Sequence, residues 1–325
     1  MYFSFKEVLR KITSSKKSSI EFLQKHGVIP SEMICPGPTV HGKRNFSCGN
    51  YMALKDVKDR KDRLSWRCRK IHKFKINDKD YVNKNVKVSI REGSWLKDAK
   101  LTLEQIIELM YLWSQGFTNK EIEHELKLSN KTIVEWTIFF RECITCSILK
   151  HSEQIGGEGI EVEIDESKFG KRKYYRGRRV EGQWIFGGRE KKDHSKVFMV
   201  PVKRRDQKTL LPIIQKWIAP GSIIHSDCWK SYNKLSSLGY THLTVNHSKE
   251  FVNNETGACT NGIESDWRHA KVSMPRYGVH KGLHSGYLAE FMWRRKYYQH
   301  DKFLKLISDI NTIYHKGEVS QCPSK

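Results

Sequence analysis

The sequence lacks long apolar segments, and its acidic residues are far outnumbered by basic ones. No apolar run approaches the roughly 18 residues that a membrane-spanning helix needs, and the start of the chain does not have the pattern of a signal peptide. Asp and Glu number 36 against 59 Lys and Arg, so the formal net charge is +23. This imbalance predicts a polyanionic partner, most commonly a nucleic acid, with a membrane surface as the alternative.

The eight cysteines are not expected to form a disulfide framework. Because no export signal is found, we expect a reducing compartment, in which cysteines are thiols or metal ligands. The 325 residues leave room for two or three domains with a proper hydrophobic core.

Two short apolar segments are predicted to be strands that end in aspartate. In residues 161–165, valine and isoleucine alternate with acids, which is the period of a half-buried strand, and the last residue is Asp165. Residues 222–227 form a second such segment, which ends at Asp227. If the two strands pair in parallel, about 4.8 Å apart, the two carboxylates lie side by side. Considered alone, the first segment also fits a β-hairpin with a charged tip.

The neighbouring segments predict a mixed α/β domain with five strands. Strand-like alternation or helical spacing occurs in residues 183–189, 196–202, 207–218 and 228–238. A later helix, which Thr260 or Asn261 can cap, carries Glu264. If that helix crosses the sheet edge, three carboxylates converge there, and they can hold two divalent ions about 3.5–4 Å apart for displacement at phosphorus.

Five motifs surround these acids. They are Val162-Glu-Ile-Asp-Glu-Ser-Lys-Phe-Gly-Lys-Arg-Lys-Tyr174 with Arg176-Gly-Arg178, Gly182-Gln-Trp-Ile-Phe-Gly-Gly188, Ile224-His-Ser-Asp227, Thr260-Asn-Gly-Ile-Glu264 with Trp267, and Glu290-Phe-Met-Trp-Arg294. In combination they resemble the DDE transposases with a ribonuclease H-like fold. The resemblance is strongest to the Merlin superfamily and its bacterial insertion-sequence relatives, and it covers residues 35–298.

The resemblance implies an α/β, ribonuclease H-like catalytic domain, with a mixed five-stranded sheet and flanking helices. In such a domain Asp165, Asp227 and Glu264 are the catalytic triad and bind two Mg²⁺ ions, for which Mn²⁺ can substitute. The implied protein is a cut-and-paste DNA transposase. It binds terminal inverted repeats, hydrolyses phosphodiester bonds at the transposon ends and joins the 3′ hydroxyls to target DNA.

A homodimer or higher assembly on double-stranded DNA is expected, because two transposon ends must be held at once. No membrane partner is expected. The expected location is the nucleus, or the cytoplasm if the source is bacterial. Two alternatives remain: a domesticated DNA-binding regulator that lost catalysis, and a structure-selective nuclease or resolvase on the same fold.

Cysteine and histidine residues upstream predict a zinc-ribbon-like module. Cys68 and His72 have a spacing that suits one pair of ligands on a tetrahedral zinc ion. Cys35 and Cys48 are candidates for the other pair, although they lie much farther apart than usual. The related family has a close cysteine pair here, so this chain departs from it by an insertion. A ribbon without metal, held by packing of Trp66, is the alternative.

Three predicted helices follow this module. The first covers residues 101–115, residues 118–121 form a capping box for the second, and the third covers residues 131–146. A short helix, a tight turn and a longer helix are typical of a helix-turn-helix, whose second helix enters the major groove of DNA. A plain helical bundle is the alternative.

Candidate DNA contacts fall into three groups. At the start of the third helix they are Asn130, Lys131, Thr132 and Glu135. In a basic hairpin after the first acidic strand they are Lys168, Lys171, Arg172, Lys173, Arg176, Arg178 and Arg179. Arg268 and Lys271 share a helical face with Glu264, where a cation would neutralise phosphate.

Several other polar residues rank below the triad. Glu163 lies on the same strand face as Asp165 and is a candidate secondary acid, as is Glu166 just beyond the predicted strand end. Asp266 is expected to be a solvated surface acid, and His225 a structural residue.

The predicted domain organisation has five parts. They are an N-terminal helical segment (1–34), a zinc-ribbon-like domain (35–95), a helix-turn-helix DNA-binding domain (96–150), a ribonuclease H-like catalytic domain (156–300), and a C-terminal helix with a tail (301–325).

Overall fold

The structure is a computed structural model, and most of the chain is described. The described residues are 3–40, 43–44, 48–57, 62–76, 79–83, 86–170, 182–246, 252–254, 256–275, 279 and 281–315. The chain divides into two compact units, Met1–Val134 with Phe303–Lys316, and Glu135–Lys302 with Gly317–Lys325. Within the described ranges, no helix combines the length and apolarity needed to cross a bilayer.

The helices are, in chain order, α1 (Phe5–Glu7), which continues as a π-helical segment (Val8–Ile12), α2 (Lys16–Lys25), α3 (Leu103–Ser114), α4 (Asn119–Leu126), α5 (Asn130–Lys150), α6 (Gln207–Trp217), α7 (Asn261–Val272), α8 (His284–Lys296) and α9 (Lys302–His315). The strands are β1 (Thr39–Val40), β2 (Lys43–Arg44), β3 (Ala53–Asp56), β4 (Leu64–Arg67), β5 (His72–Ile76), β6 (Lys79–Asn83), β7 (Lys87–Ser89), β8 (Ile155–Gly156), β9 (Glu161–Phe169), β10 (Gln183–Glu190), β11 (Val197–Val202), β12 (Ile218–Ala219), β13 (Ile223–Asp227) and β14 (Thr241–Val245).

The first unit has an aromatic core to which both ends of the chain contribute. Phe22 of α2 stacks on Phe303 of α9, with ring centroids 5.7 Å apart, and Tyr111 of α3 meets Phe303 edge-on at 5.5 Å. Thr102 is the N-cap of α3, and its side chain accepts a hydrogen bond from the amide of Gln105 in a capping box. Helix α9 therefore contributes Phe303 to the core of the first unit.

The strands of the first unit form small antiparallel sheets. Strand β4 lies between β3 and β7, while β5 pairs with β6 and β1 with β2. Arg91, which follows β7, is buried and donates to the Asp62 carboxylate at 2.8 and 2.6 Å and to the carbonyl oxygen of Leu101 at 2.9 Å. This arginine thereby joins the strand region to the segment that leads into α3.

The second unit is built on a mixed five-stranded sheet with the order β11-β10-β9-β13-β14. Strands β11, β10 and β9 pair antiparallel, whereas β13 is parallel to both β9 and β14. The five-stranded mixed sheet predicted from the sequence is confirmed, and its two acidic strands are neighbours with the parallel orientation that brings their aspartates together.

Helices cover both faces of this sheet. Asp165, Gly187 and Met199 are register partners across β9, β10 and β11, so their side chains share one face. The Trp267 indole of α7 donates to the Asp165 carboxylate, which places α7 against that face. The backbone amide of Met199 in edge strand β11 donates to the sulfur of Met292 in α8. On the other face Phe198 stacks on Trp217 of α6 at 5.4 Å.

Two elements differ from the sequence-based prediction. Strand β9 does not end at Asp165 but continues to Phe169, because its last residues pair with the start of β10. The segment 228–238, predicted to be helix-like, forms two short 3₁₀ turns, Lys230–Tyr232 and Ser236–Leu238. The start of this segment is fixed to the end of β13, because the amide of Trp229 donates to the side chain of Asp227 at 3.1 Å.

A candidate active site on the sheet edge and a candidate zinc centre

Two predicted catalytic aspartates lie on adjacent parallel strands. The register pairs Ile223 with Glu161 and His225 with Glu163, and two further residues along each strand lead to Asp227 and Asp165. Neighbouring residues in parallel strands project from the same face, so both carboxylates point toward the face that carries Met199. The strand pairing alone therefore brings the first two acids of the predicted triad together.

The third acid, Glu264, comes from the first turn of α7, which packs on β9. The hydroxyl of Thr260 donates to Glu264 Oε1 at 3.0 Å. Burial raises the pKa of Asp165 to about 6, and the negative charges of Asp227 and Glu264 contribute to this rise. The three carboxylates thus share one electrostatic environment, and hard oxygen donors of this kind fit Mg²⁺.

Helix α7 is attached to β9 by a regular ladder of side-chain contacts. Alternate residues of the strand, 163, 165 and 167, meet every fourth residue of the helix, 263, 267 and 271. The hydrogen bonds are Ile263 N to Glu163 Oε2 at 2.7 Å, Trp267 Nε1 to Asp165 Oδ2 at 2.9 Å, and Lys271 Nζ to Ser167 Oγ at 2.7 Å.

The spacing of this ladder follows from backbone geometry. Two residues of strand rise about 6.6 Å and four residues of helix about 6.0 Å, so successive contacts stay aligned along both elements. The helix that carries Glu264 is therefore held to the strand that carries Asp165 by three contacts, each about one turn after the last.

Two glycines allow this close approach. A Cβ atom at Gly187, the register partner of Asp165, would lie 2.6 Å from the Trp267 ring, and one at Gly262 would lie 2.5 Å from Glu163 Oε2. A side chain at either position would therefore force the Trp267 ring or the Glu163 carboxylate to move. The motif glycines around 187 and 262 thus leave room for the indole and the carboxylate that secure α7.

Glu163 does not face the predicted metal site as a secondary acid. It is buried, and its carboxylate accepts from the first turn of α7, where the helix dipole favours negative charge. Burial raises the pKa of Glu163, while the Ile263 amide and Arg189 act in the opposite direction. Thr260 precedes the helix but its side chain caps none of its amides, so Glu163 supplies the cap from the sheet.

Asp266 is fully buried, so the prediction of a solvated surface acid was wrong. Its Oδ2 lies 3.3 Å from Arg189 Nη1 of β10, and its Oδ1 pairs with Arg295 of α8. The residue lies on the inward face of α7 beside Trp267, whereas Glu264 lies on the exposed side. Two arginines neutralise it within the core.

Glu166 lies on the opposite face of the sheet from Asp165. The hydroxyl of Tyr232 donates to its Oε1, and Arg205 Nη1 lies 3.9 Å from its Oε2. Burial raises the pKa of Glu166 to about 7, with contributions from the charges of Asp165 and Asp227. Its carboxylate is thus engaged by Tyr232 and Arg205.

His225 is a buried residue of β13, as expected for a structural histidine. The ring is buried, and its Nε2 lies 3.0 Å from the Glu161 carboxylate. Burial lowers its pKa.

The candidate DNA contacts that the structure describes have different degrees of exposure. Asn130, Lys131, Arg268 and Lys271 are exposed, and Thr132 is half-buried where its amide donates to the N-terminal capping hydroxyl of Ser129. Lys168 Nζ lies 5.5 Å from the centre of the Trp184 ring. Six candidates lie outside the described residues, namely Lys171, Arg172, Lys173, Arg176, Arg178 and Arg179.

The four predicted zinc ligands converge in the first unit. One ligand atom from each of Cys35, Cys48, Cys68 and His72 lies within 4.8 Å of all the others. Cys48 Sγ is 3.8 Å from Cys68 Sγ, and Cys35 Sγ is 3.5 Å from His72 Nε2. A tetrahedral ion with Zn–S bonds of about 2.3 Å separates two sulfurs by about 3.8 Å, so these residues fit zinc.

The wide spacing between Cys35 and Cys48 is bridged by the backbone. The amide of Cys35 donates to the carbonyl oxygen of Asn50 at 2.8 Å, and the amide of Cys48 donates to the carbonyl oxygen of Cys35 at 3.2 Å. Burial opposes ionisation of Cys48, but the Asn50 amide, His72 and the neighbouring thiols lower its pKa to about 7. Burial raises the pKa of Cys35 to about 12, so Cys48 is the one of these two ligands whose thiolate forms easily.

The purified protein is expected to contain about one zinc ion per chain, because one ligand atom from each of the four residues lies within 4.8 Å of the others. Cys68→Ser should remove it, whereas Cys228→Ser, which changes an exposed thiol of the second unit, should not. Elemental analysis without chelators decides this. Folded wild-type protein free of zinc would establish the metal-free ribbon instead.

Comparisons with known proteins agree with these observations. The family model of the ISXO2-like transposase domain matches residues 154–296. An uncharacterised transposase-like protein of Haemophilus influenzae is 37% identical over 100 residues, which are 30% of this chain and 80% of that protein. The male abnormal protein mab-31 of Caenorhabditis elegans is 27% identical over 169 residues, 50% of this chain but only 36% of its own length.

One comparison with solved structures is much weaker. The chain matches a crystal structure of a pre-cleavage Mos1 transpososome with 10% identity and a TM-score of 0.18, over 63% of this chain and 78% of that one. A TM-score this low does not establish a shared fold.

The match to most of the Haemophilus influenzae protein defines the class, a transposase-type protein. The chain belongs to the family of this transposase-like protein and has an ISXO2-like transposase domain in residues 154–296, in agreement with its resemblance to the DDE transposases.

Proposed function

We propose that the protein is a cut-and-paste DNA transposase with a ribonuclease H-like catalytic domain, and that Asp165, Asp227 and Glu264 are its catalytic triad. The observation that carries this proposal is the convergence of these carboxylates from β9, β13 and α7, with the electrostatic coupling described above. The order β11-β10-β9-β13-β14, with its last two strands parallel to β9, also supports the fold assignment.

The proposed substrate bonds are the phosphodiesters at the two transposon ends. The triad would hold two divalent ions, Mg²⁺ or Mn²⁺, which when bound supply Lewis acidity at phosphorus and an activated water. Trp267 fixes one oxygen of Asp165 by its indole hydrogen bond, so the carboxylate keeps its orientation. Glu163, by capping α7, holds the backbone from which Glu264 extends.

Cations on α7 are proposed to bind the DNA backbone beside the triad. Arg268 and Lys271 follow Glu264 by four and seven residues, and all three side chains are exposed. The ammonium of Lys271 already reaches β9 through Ser167. A phosphate bound here would lie next to the carboxylates, where its charge is neutralised by the two cations.

We propose that α4 and α5 form a helix-turn-helix that recognises the terminal inverted repeats. Helix α4 ends at Leu126, Lys127 takes a left-handed conformation with φ of 52°, and α5 begins at Asn130. This turn leaves the start of α5 exposed, which suits contacts with base edges. Zinc at the Cys35 cluster would stabilise the preceding module.

The proposed assembly is a homodimer or larger complex on DNA, since two ends must be cut together. The nucleus, or the cytoplasm of a bacterium, is the proposed location. The division of the first unit into a helical segment, a zinc-ribbon-like module and a helix-turn-helix remains a prediction.

The central experiment is a cleavage assay with defined ends. Purified full-length protein and Mg²⁺ are incubated with DNA that carries the terminal repeats of its own element, and the cuts are mapped at nucleotide resolution. We expect cuts at the repeat ends, free 3′ hydroxyls and joined products with target DNA. Binding without any cut in Mg²⁺ or Mn²⁺ would instead indicate a regulator, and cuts directed by DNA shape alone would indicate a structure-selective nuclease.

Sequence-specific binding is expected to depend on α5. Asn130→Ala or Lys131→Ala should weaken binding to terminal-repeat DNA by about 1–3 kcal/mol, the value of a bidentate base contact, and should affect random duplex much less. Arg268→Ala should weaken binding to both DNAs about equally and reduce the salt dependence by about one phosphate contact.

Binding isotherms on both DNAs across a salt series test this difference. Glu125→Ala, on the exposed side of α4 and outside the proposed contacts, is the control. If the α5 variants lose affinity for both DNAs alike, α3 to α5 do not read sequence, and specificity must come from another part of the chain.

A further inference from the structure

An aromatic and basic cavity lies beside the proposed active site, on the sheet face opposite α7. It has a volume of about 340 Å³ and is lined by Arg204, Arg205, Asp206, Trp229 and Ser231. Its position is fixed relative to the triad, because Trp229 follows Asp227 by two residues and its amide donates to the Asp227 carboxylate at 3.1 Å. Volumes of a few hundred Å³ are typical of small-ligand sites.

The indole of Trp229 is exposed to solvent yet held in place. It is 40% exposed, an unusual state for a tryptophan in a folded unit. Its Nε1 donates to the carbonyl oxygen of Arg205 at 3.4 Å, and the Ser231 hydroxyl donates to the same oxygen at 3.0 Å. An aromatic ring that is fixed at one edge and open to solvent is suited to stacking with another flat group.

Cations surround this indole. The Arg205 guanidinium lies 3.7 Å from the ring centre of Trp184 and 4.9 Å from that of Trp229, so it occupies the space between the two rings. Arg204 is largely exposed and pairs with Asp206 at 2.7 Å, and that carboxylate also caps α6. The cavity thus offers a stacking surface together with two guanidinium groups, a combination that suits a nucleobase with its phosphate.

We propose that this cavity binds an unpaired nucleotide of the DNA strand next to the scissile phosphate, with its base stacked on Trp229 and its phosphate near Arg204. The base must be unpaired, because bases inside a duplex stack on each other and cannot reach an indole on the protein surface. This inference rests on the proposed DNA-cutting function, since it places the nucleotide beside the triad.

Binding of tailed DNA tests the proposal without any cleavage step. The probes are a short DNA duplex with a single-stranded tail that contains 2-aminopurine, and the same duplex with blunt ends, with Ca²⁺ in place of Mg²⁺. Wild-type protein should prefer the tailed duplex and quench the 2-aminopurine fluorescence. Trp229→Ala should reduce the tail preference roughly fivefold to 150-fold, and Trp229→Phe should keep most of it.

The matched control is Tyr298→Ala, which removes another exposed aromatic ring of the second unit and should leave the tail preference unchanged. Equal preference in wild type and Trp229→Ala, or an unquenched tail on wild-type protein, would overturn the proposal. If Trp229→Ala does not fold, quenching by wild type and by Trp229→Phe still decides. Because these are binding measurements, a chain that never cuts DNA would contradict the proposed function and not this site.

Discussion

The Asp227→Asn protein is expected to bind DNA as the wild type does and to cut it at least about a thousandfold more slowly. Asparagine has the shape of aspartate and can still accept the hydrogen bond from the Trp229 amide, so the local structure should persist. What it lacks is the negative charge required to hold a divalent ion. Asp165→Asn, which can still accept from Trp267, and Glu264→Gln should behave in the same way.

Cleavage rates and DNA affinity, measured side by side in Mg²⁺, check this expectation. The control is Asp193→Asn, which makes the same chemical change in the turn between β10 and β11, where Asp193 accepts from Ser195. That variant should cut normally. Cleavage within about tenfold of wild type would remove the substituted residue from the triad, since loss of a metal ligand costs more than loss of an outer partner.

The acids on the strands could be found from the sequence because their signals are local. An apolar alternation that ends in Asp227, and another that contains Asp165, are visible in a few residues each. If these two strands are neighbours in the sheet and parallel, their aspartates lie together. The structure confirms that β9 and β13 pair in parallel. The prediction that β9 ends at Asp165 was wrong, because its extension to Phe169 depends on pairing with β10, which comes later in the sequence.

The ladder between β9 and α7 could not be predicted in the same way. Its contacts join residues about a hundred positions apart, and they exist only when the helix axis follows the strand. Nothing in the local pattern of α7 indicates that its cap comes from Glu163. The glycines of the motifs are visible in the sequence, but their role follows only from the position of the Trp267 ring, for which Gly187 leaves space.

The candidate zinc centre could be predicted only in part from the sequence. Cys68 and His72 form a recognisable pair, whereas the insertion between Cys35 and Cys48 obscures the other. Backbone hydrogen bonds between residues 35 and 48–50 bring the two sulfurs to the same place despite their separation in sequence. The identity of the four ligands was therefore predictable, whereas the backbone hydrogen bonds that bring Cys48 next to Cys35 were not.

Asp266 shows how a correct premise led to a wrong conclusion. Two residues along a helix rotate the side chain by roughly 200°, so Asp266 does point away from Glu264. Since Glu264 is on the exposed side, the opposite side is the buried one, with Ile263 and Trp267. The sequence held this signal, because an acid within an apolar stripe requires a buried partner.

Removal of the Asp266 carboxylate is expected to destabilise the second unit strongly. Asp266→Ala should lower the free energy of unfolding by about 3–5 kcal/mol, because it leaves the buried Arg189 and the partly buried Arg295 without their shared anion. Burial lowers the pKa of both arginines, which shows that their charge is poorly solvated there. Asp266→Asn, which keeps a hydrogen-bond acceptor, should lose less.

Hydrogen exchange of the β9 and β10 amides under native conditions measures this effect within the second unit, without assuming that both units unfold together. Asp193→Ala, outside the core, is the control and should change stability by no more than about 0.5 kcal/mol. Because Arg189 also donates to the carbonyl oxygen of Gly262 at 3.1 Å, its displacement should loosen the start of α7 first. A loss below about 1 kcal/mol for Asp266→Ala would mean that water reaches the two arginines and that the core around α7 is not sealed.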